Sequence, residues 1–130
     1  MAFPLVFEIV RTKLASHTGI RCVTDVPATR PSRFISIDAS PVVGGMYTGV
    51  KARVLSKRRL LIYCWGTSET DAGEMAENAI AYLRTLPEQQ CGIRRVDTVG
   101  EPARRDYIVN DQIVQHRYCF TVDVVVRATP

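Results

Sequence analysis

Two stretches of the chain repeat apolar residues at the spacing of an amphipathic helix. The first covers residues 4–16, opens on Pro4 and is followed by Gly19, which suit a helix start and stop. The second follows Ser68, a favourable N-cap residue three positions before Asp71, and Pro87 closes it. Both patterns predict a helix with one buried face, formed by Leu5, Val6, Ile9, Val10 and Leu14 in the first and by Ala72, Met75, Ala76, Ala79, Ile80, Leu83 and Leu86 in the second.

Other stretches have the patterns of strands. Residues 60–65 are apolar on both faces, which is typical of a central strand covered on both sides, or on one side by a neighbouring subunit. Residues 20–24, 34–37 and 93–99 predict shorter strands. The last predicted strand alternates strictly and should have one wet or partner-facing side. Its apolar face holds Val114, Tyr118, Phe120, Val122, Val124 and Val126, and its polar face holds Gln115, Arg117, Thr121, Asp123 and Arg127.

Two segments lack a regular pattern. Residues 39–57 contain Pro41, three glycines and several apolar residues, and we interpret them as a protruding arm or hairpin between two strands. Residues 100–111 predict a polar loop. The predicted order is therefore α-β-β-(arm)-β-α-β-β, an α+β fold in which two helices pack on one face of a mostly antiparallel sheet.

Composition fits one domain over residues 1–130, with 46% hydrophobic and 23% charged residues. The chain has no apolar run long enough to span a membrane, and its first residues do not resemble a secretory leader. We therefore expect synthesis in a cytoplasm. The four cysteines lack the close pairs of a zinc site and predict buried free thiols: Cys22, Cys64, Cys91 and Cys119.

The formal net charge of +4 permits contact with DNA or an acidic partner surface without requiring it. Three arginine pairs lie in different segments, whereas a dedicated DNA-binding domain usually concentrates its charge on one element. A solvated surface is the simplest interpretation of these pairs. The alternatives are that they line a channel or contact an acidic partner, and the candidate residues are Arg58, Arg59, Arg94, Arg95, Arg104 and Arg105.

Two patterns resemble sites of chemistry but lack the required spacing. The segment around Gly44, Gly45 and Gly49 differs from a phosphate-binding loop because Val50 precedes Lys51 and no hydroxyl follows the lysine. Glu101, Asp106 and Asp111, with His116 nearby, could suggest a metal-dependent hydrolase. Arg104 and Arg105 directly precede Asp106, so ion pairing is the simpler interpretation.

The chain as a whole resembles the tail terminator, or tail completion, proteins of long-tailed phages, particularly those that infect actinobacteria. The order and spacing of several segments carry this resemblance, although none is specific alone. They are residues 26–34 (VPATRPSRF), residues 60–66 (LLIYCWG), the alanine-rich helix over residues 70–86, residues 99–102 (VGEP), Asp106 and the closing strand over residues 117–127.

The resemblance implies a hexameric ring that stops polymerisation of the tail tube and provides the joining surface for the head. The implied partners are other copies of this chain, the major tail tube protein and the head-completion or stopper protein, with DNA passing through the channel. It implies no enzyme activity, catalytic residues, cofactor, metal or membrane contact. The arm, longer than is usual in this family, is expected to contact a neighbouring subunit or the tube through Val42, Val43, Met46 and Tyr47.

Three alternatives stay open. Another head–tail neck component, such as a stopper or adaptor, would share the size and the assembly role. A small basic nucleic-acid-binding module is suggested by the charge alone. A metal-dependent hydrolase would depend on the carboxylates of residues 100–111.

Overall fold

The computed structural model describes residues 5–29, 31–40, 54–89 and 91–128. In chain order these form helix α1 and strands β1 to β3, then helix α2 with a short 3-10 turn, then strands β4 to β6. The bounds are α1 Val6–Thr18, β1 Cys22–Val23, β2 Phe34–Ser40, β3 Leu55–Gly66, α2 Glu69–Leu83, the 3-10 turn Leu86–Gln89, β4 Ile93–Arg104, β5 Tyr107–Val109 and β6 Gln112–Arg127.

The strands form one sheet in the order β1-β2-β3-β6-β4, with β5 paired to β6 beyond the end of this row. The β1–β2 pair is parallel and the other pairs are antiparallel. Strand β3 lies between β2 and β6, which confirms the central strand predicted from its apolar faces. Both helices pack on the same face of the sheet, so the predicted α+β class is confirmed.

Local signals define the helix ends. Gly19 adopts φ 70° and donates its N–H to the Ala15 carbonyl at 3.0 Å. It therefore ends α1, as the sequence predicts. At the start of α2, the Ser68 hydroxyl accepts a hydrogen bond from the Asp71 N–H at 3.1 Å. Neither described helix is long and apolar enough to cross a membrane.

The main core lies between the helices and the sheet. Val10 and Leu14 from α1 and the apolar stripe of α2 pack against side chains on one face of the sheet. These strand residues are Ile35, Ile37, Leu60, Ile62, Cys64, Ile93, Phe120, Val122, Val124 and Val126. The alternation that predicted one face of the last strand is confirmed from Phe120 onward, because period-two side chains share a face.

The arm is shorter than predicted. Strand β2 continues to Ser40 and β3 starts at Leu55, and their pairing extends to Ser40 opposite Arg59. Residues 39–40 and 55–57, assigned to the arm from their composition, therefore belong to the sheet. The predicted contact residues Val42, Val43, Met46 and Tyr47 lie outside the described residues.

The predicted loop over residues 100–111 is wrong, because strands occupy most of it. Strand β4 passes through a bulge between Val99 and Ala103, where Gly100 adopts φ 76°, and resumes pairing up to Arg104. Pro102 is tolerated because β4 is an edge strand of the described sheet. Strand β1 is also shorter than the predicted run over residues 20–24.

Candidate assembly surfaces

A hairpin extends beyond the sheet at one end of β6, and we call residues 107–115 the hairpin. Strand β3 stops pairing with β6 at His116 and β4 stops at Tyr118, so the first residues of β6 pair only with β5. Asn110 and Asp111 have φ values of 51° and 61°, which is typical of a tight two-residue turn of type I′. Four large aliphatic side chains of the hairpin are exposed: Ile108 (56%), Val109 (44%), Ile113 (47%) and Val114 (48%).

The hairpin was missed in the sequence because its turn is Asn-Asp, whereas Asn-Gly is the strongest hairpin signal. Two aliphatic residues flank this turn on each side, at Ile108-Val109 and Ile113-Val114, and they are the signal that could have revealed it. Val114 was also predicted to share the apolar face of Phe120. It lies instead on the protruding hairpin and is 48% exposed.

An aromatic and arginine cluster fixes the base of the hairpin. The Arg117 guanidinium lies 4.5 Å from the ring centre of Tyr63 and 4.7 Å from that of Trp65. The Trp65 ring stacks on Phe34 at 4.9 Å and contacts Tyr107 at 5.8 Å. The Tyr107 side chain of β5 therefore packs against the face of the sheet that points away from the helices.

Further hydrogen bonds hold the hairpin in place. The Gln115 side-chain amide donates to the Pro31 and Ser32 carbonyls at 3.1 and 3.0 Å. Arg117 donates from Nε to the Arg105 carbonyl at 2.6 Å, and its N–H donates to the Asp106 carboxylate at 3.2 Å. The hairpin thus presents its apolar residues in a fixed position.

The face of the sheet opposite the helices, which we call the outer face, is not covered by a second layer of the described residues. Its central part is mainly apolar and only partly buried. Val99 is 41% exposed, and its cross-strand neighbours are half-buried. The residues of this patch are Leu61, Tyr63, Val99, Cys119 and Thr121.

One end of the sheet collects two of the three arginine pairs singled out in the sequence. Arg58 and Arg59 of β3 and Arg94 and Arg95 of β4 lie on opposite sides of β6 at the same end of the sheet. Lys57 and Arg127 belong to the same group. We call these six residues, Lys57, Arg58, Arg59, Arg94, Arg95 and Arg127, the basic end.

Acidic residues partly neutralise the basic end. Asp123 accepts two hydrogen bonds from Arg59, at 2.8 and 3.0 Å, and Asp97 forms an ion pair with Arg95 at 2.7 Å. Asp123 is only 8% exposed, although strand alternation predicted a wet position. A charged carboxylate can be buried at this position because Arg59 donates a hydrogen bond to each of its two oxygens.

The third arginine pair lies at the other end of the sheet, so the structure does not bring all six predicted arginines together. Arg104 forms ion pairs with Asp106 at 2.7 Å and with Glu69 of α2 at 2.8 Å. Arg105 is exposed, and its main chain exchanges hydrogen bonds with Arg117. Arg104 therefore links β4 to α2.

The carboxylates considered for metal chemistry either lie apart from one another or form ion pairs. Asp106 is bound by Arg104 and by the Arg117 N–H, and its Oδ1 lies 3.7 Å from Nδ1 of His116. Glu101 and Asp111 are exposed in β4 and at the hairpin turn. In the described part of the chain, no group of three histidine, cysteine or acidic side chains is arranged to hold a metal ion.

The cysteines agree only partly with the prediction of buried thiols. All four are free, but only Cys22 and Cys64 are buried, whereas Cys91 and Cys119 are half-buried. Burial raises the pKa of the Cys22 thiol to about 11 and raises that of Cys64 further. Both thiols are therefore neutral at physiological pH and pack as small apolar side chains.

Two ion-paired aspartates predict a loss of stability in acid. The hydrogen bonds from Arg59 lower the pKa of Asp123. Partial burial acts to raise the pKa of Asp71, but hydrogen bonds from Thr67 and Arg33 outweigh it and lower this pKa. Both carboxylates stabilise the fold above their unfolded-state pKa of about 4, and this contribution is lost as the pH falls through their lower folded values.

We expect the urea midpoint of the wild type to be nearly constant from about pH 7 to 5 and to fall steeply below about pH 4. Asp123→Asn should be less stable than the wild type at neutral pH and should lose less stability on acidification. Asp25→Asn, at an exposed position, controls for the removal of one charge. An acid-induced loss in Asp123→Asn equal to that of the wild type would contradict the role assigned to the Arg59 pair.

Searches for related proteins do not place the chain in a family. No family model matches it, and no curated protein matches it.

Proposed function

We propose that this chain is a structural protein of the virion that forms a ring at the end of a phage tail tube. In this role it stops tube polymerisation and provides the surface on which the head and neck are joined. Its partners are other copies of itself, the major tail tube protein and a head-completion protein, while DNA passes through the channel. It acts in the virion at the neck end of the tail, after assembly in the host cytoplasm, and without catalysis.

The observation that supports this proposal best is the fixed hairpin with its four exposed aliphatic residues. Monomeric proteins rarely expose such a group together, and exposed apolar groups often mark contacts with other proteins. A ring needs two different surfaces on each subunit, one that projects and one that receives. In this proposal the hairpin is the projecting surface and the outer face is the receiving one.

The basic end favours a second candidate, a small module that binds nucleic acid. Six cations lie at one end of the sheet, where Arg59 and Arg95 are ion-paired with Asp123 and Asp97. Such binding would weaken steeply with salt, because each phosphate contact releases counterions. Titration of the purified protein with duplex DNA at about 50 and 200 mM salt tests this candidate.

Loss of the gene should give tail tubes of uncontrolled length, because nothing would end tube growth. Electron microscopy of particles made without the gene measures the distribution of tube lengths. Supplying the wild-type gene from a plasmid is the control, and it should restore a single length. Tails of normal length that fail to join heads would favour another neck component. Complete, normal virions would contradict the proposed function.

A further inference from the structure

We draw no further inference here: the strongest candidate, the surface patch of exposed aliphatic side chains on the hairpin (residues 107–115), carries nothing beyond the proposed function, because nothing among the described residues shows what covers it.

Discussion

Gly66→Ala is expected to destabilise the protein by about 3 kcal/mol, the upper part of the range for forcing an extra group into a packed site. Gly66 ends β3 and lies directly before α2. A Cβ atom at this position would lie 2.6 Å from the Ala72 nitrogen and 2.9 Å from the Ala72 Cα. Because both are backbone atoms, the methyl group fits only if the first turn of α2 moves away from the sheet.

Gly73→Ala is the matched control for this substitution. Gly73 lies within α2, and its added Cβ would meet only the Tyr118 ring, at 3.4 to 3.7 Å, which is ordinary contact. Alanine favours a helix interior over glycine by up to about 1 kcal/mol, so this variant should be as stable as the wild type or more stable. Urea unfolding of both variants decides the matter. Equal stabilities for them would show that α2 does not pack against Gly66 as described.

Leu60→Ala is expected to destabilise the protein by about 3 kcal/mol, within the range for removing a buried leucine side chain. Leu60 is 2% exposed and faces the helices, where it belongs to the main core. Truncation leaves a cavity between the sheet and the helices that the surrounding side chains fill only partly. The free energy of unfolding from urea titration measures this loss.

The neighbouring substitution Leu61→Ala compares the two faces of β3. Leu61 has the same side chain on the same strand, but it lies half-buried on the outer face. We expect it to reduce the free energy of unfolding by about 1 kcal/mol or less, because less apolar area leaves water there. A larger stability loss in Leu61→Ala than in Leu60→Ala would mean that the two faces have been assigned the wrong way round.

Much of the fold follows from sequence periodicity. The stripe from Ala72 to Leu83 predicts α2, and the run from Leu60 to Trp65 predicts the central strand, because buried elements must place apolar residues at a fixed period. Gly19 and Ser68 also mark helix ends correctly. These signals are local, so a single sequence is enough to reveal them.

The features that were missed depend on residues distant in sequence. Asp123 has the pattern of a solvent-exposed position, and only its pairing with Arg59, 64 residues away, explains why it is buried. The hairpin has an uncommon turn, and its fixed position depends on Trp65 and on the carbonyl of Pro31. The three arginine pairs have the same appearance in the sequence, yet strand order places two at one end of the sheet and the third at the other.

The two edges of the described sheet are poorly suited to pairing with a further strand. On one side, β4 is interrupted by a bulge at Gly100 and contains Pro102, which has no N–H to donate. On the other side, β1 is only two residues long. Irregular and short edges resist the addition of a further strand, which is how proteins avoid growing into fibres. Growth by addition of strands is thereby discouraged along β4 and along the part of β2 that β1 covers.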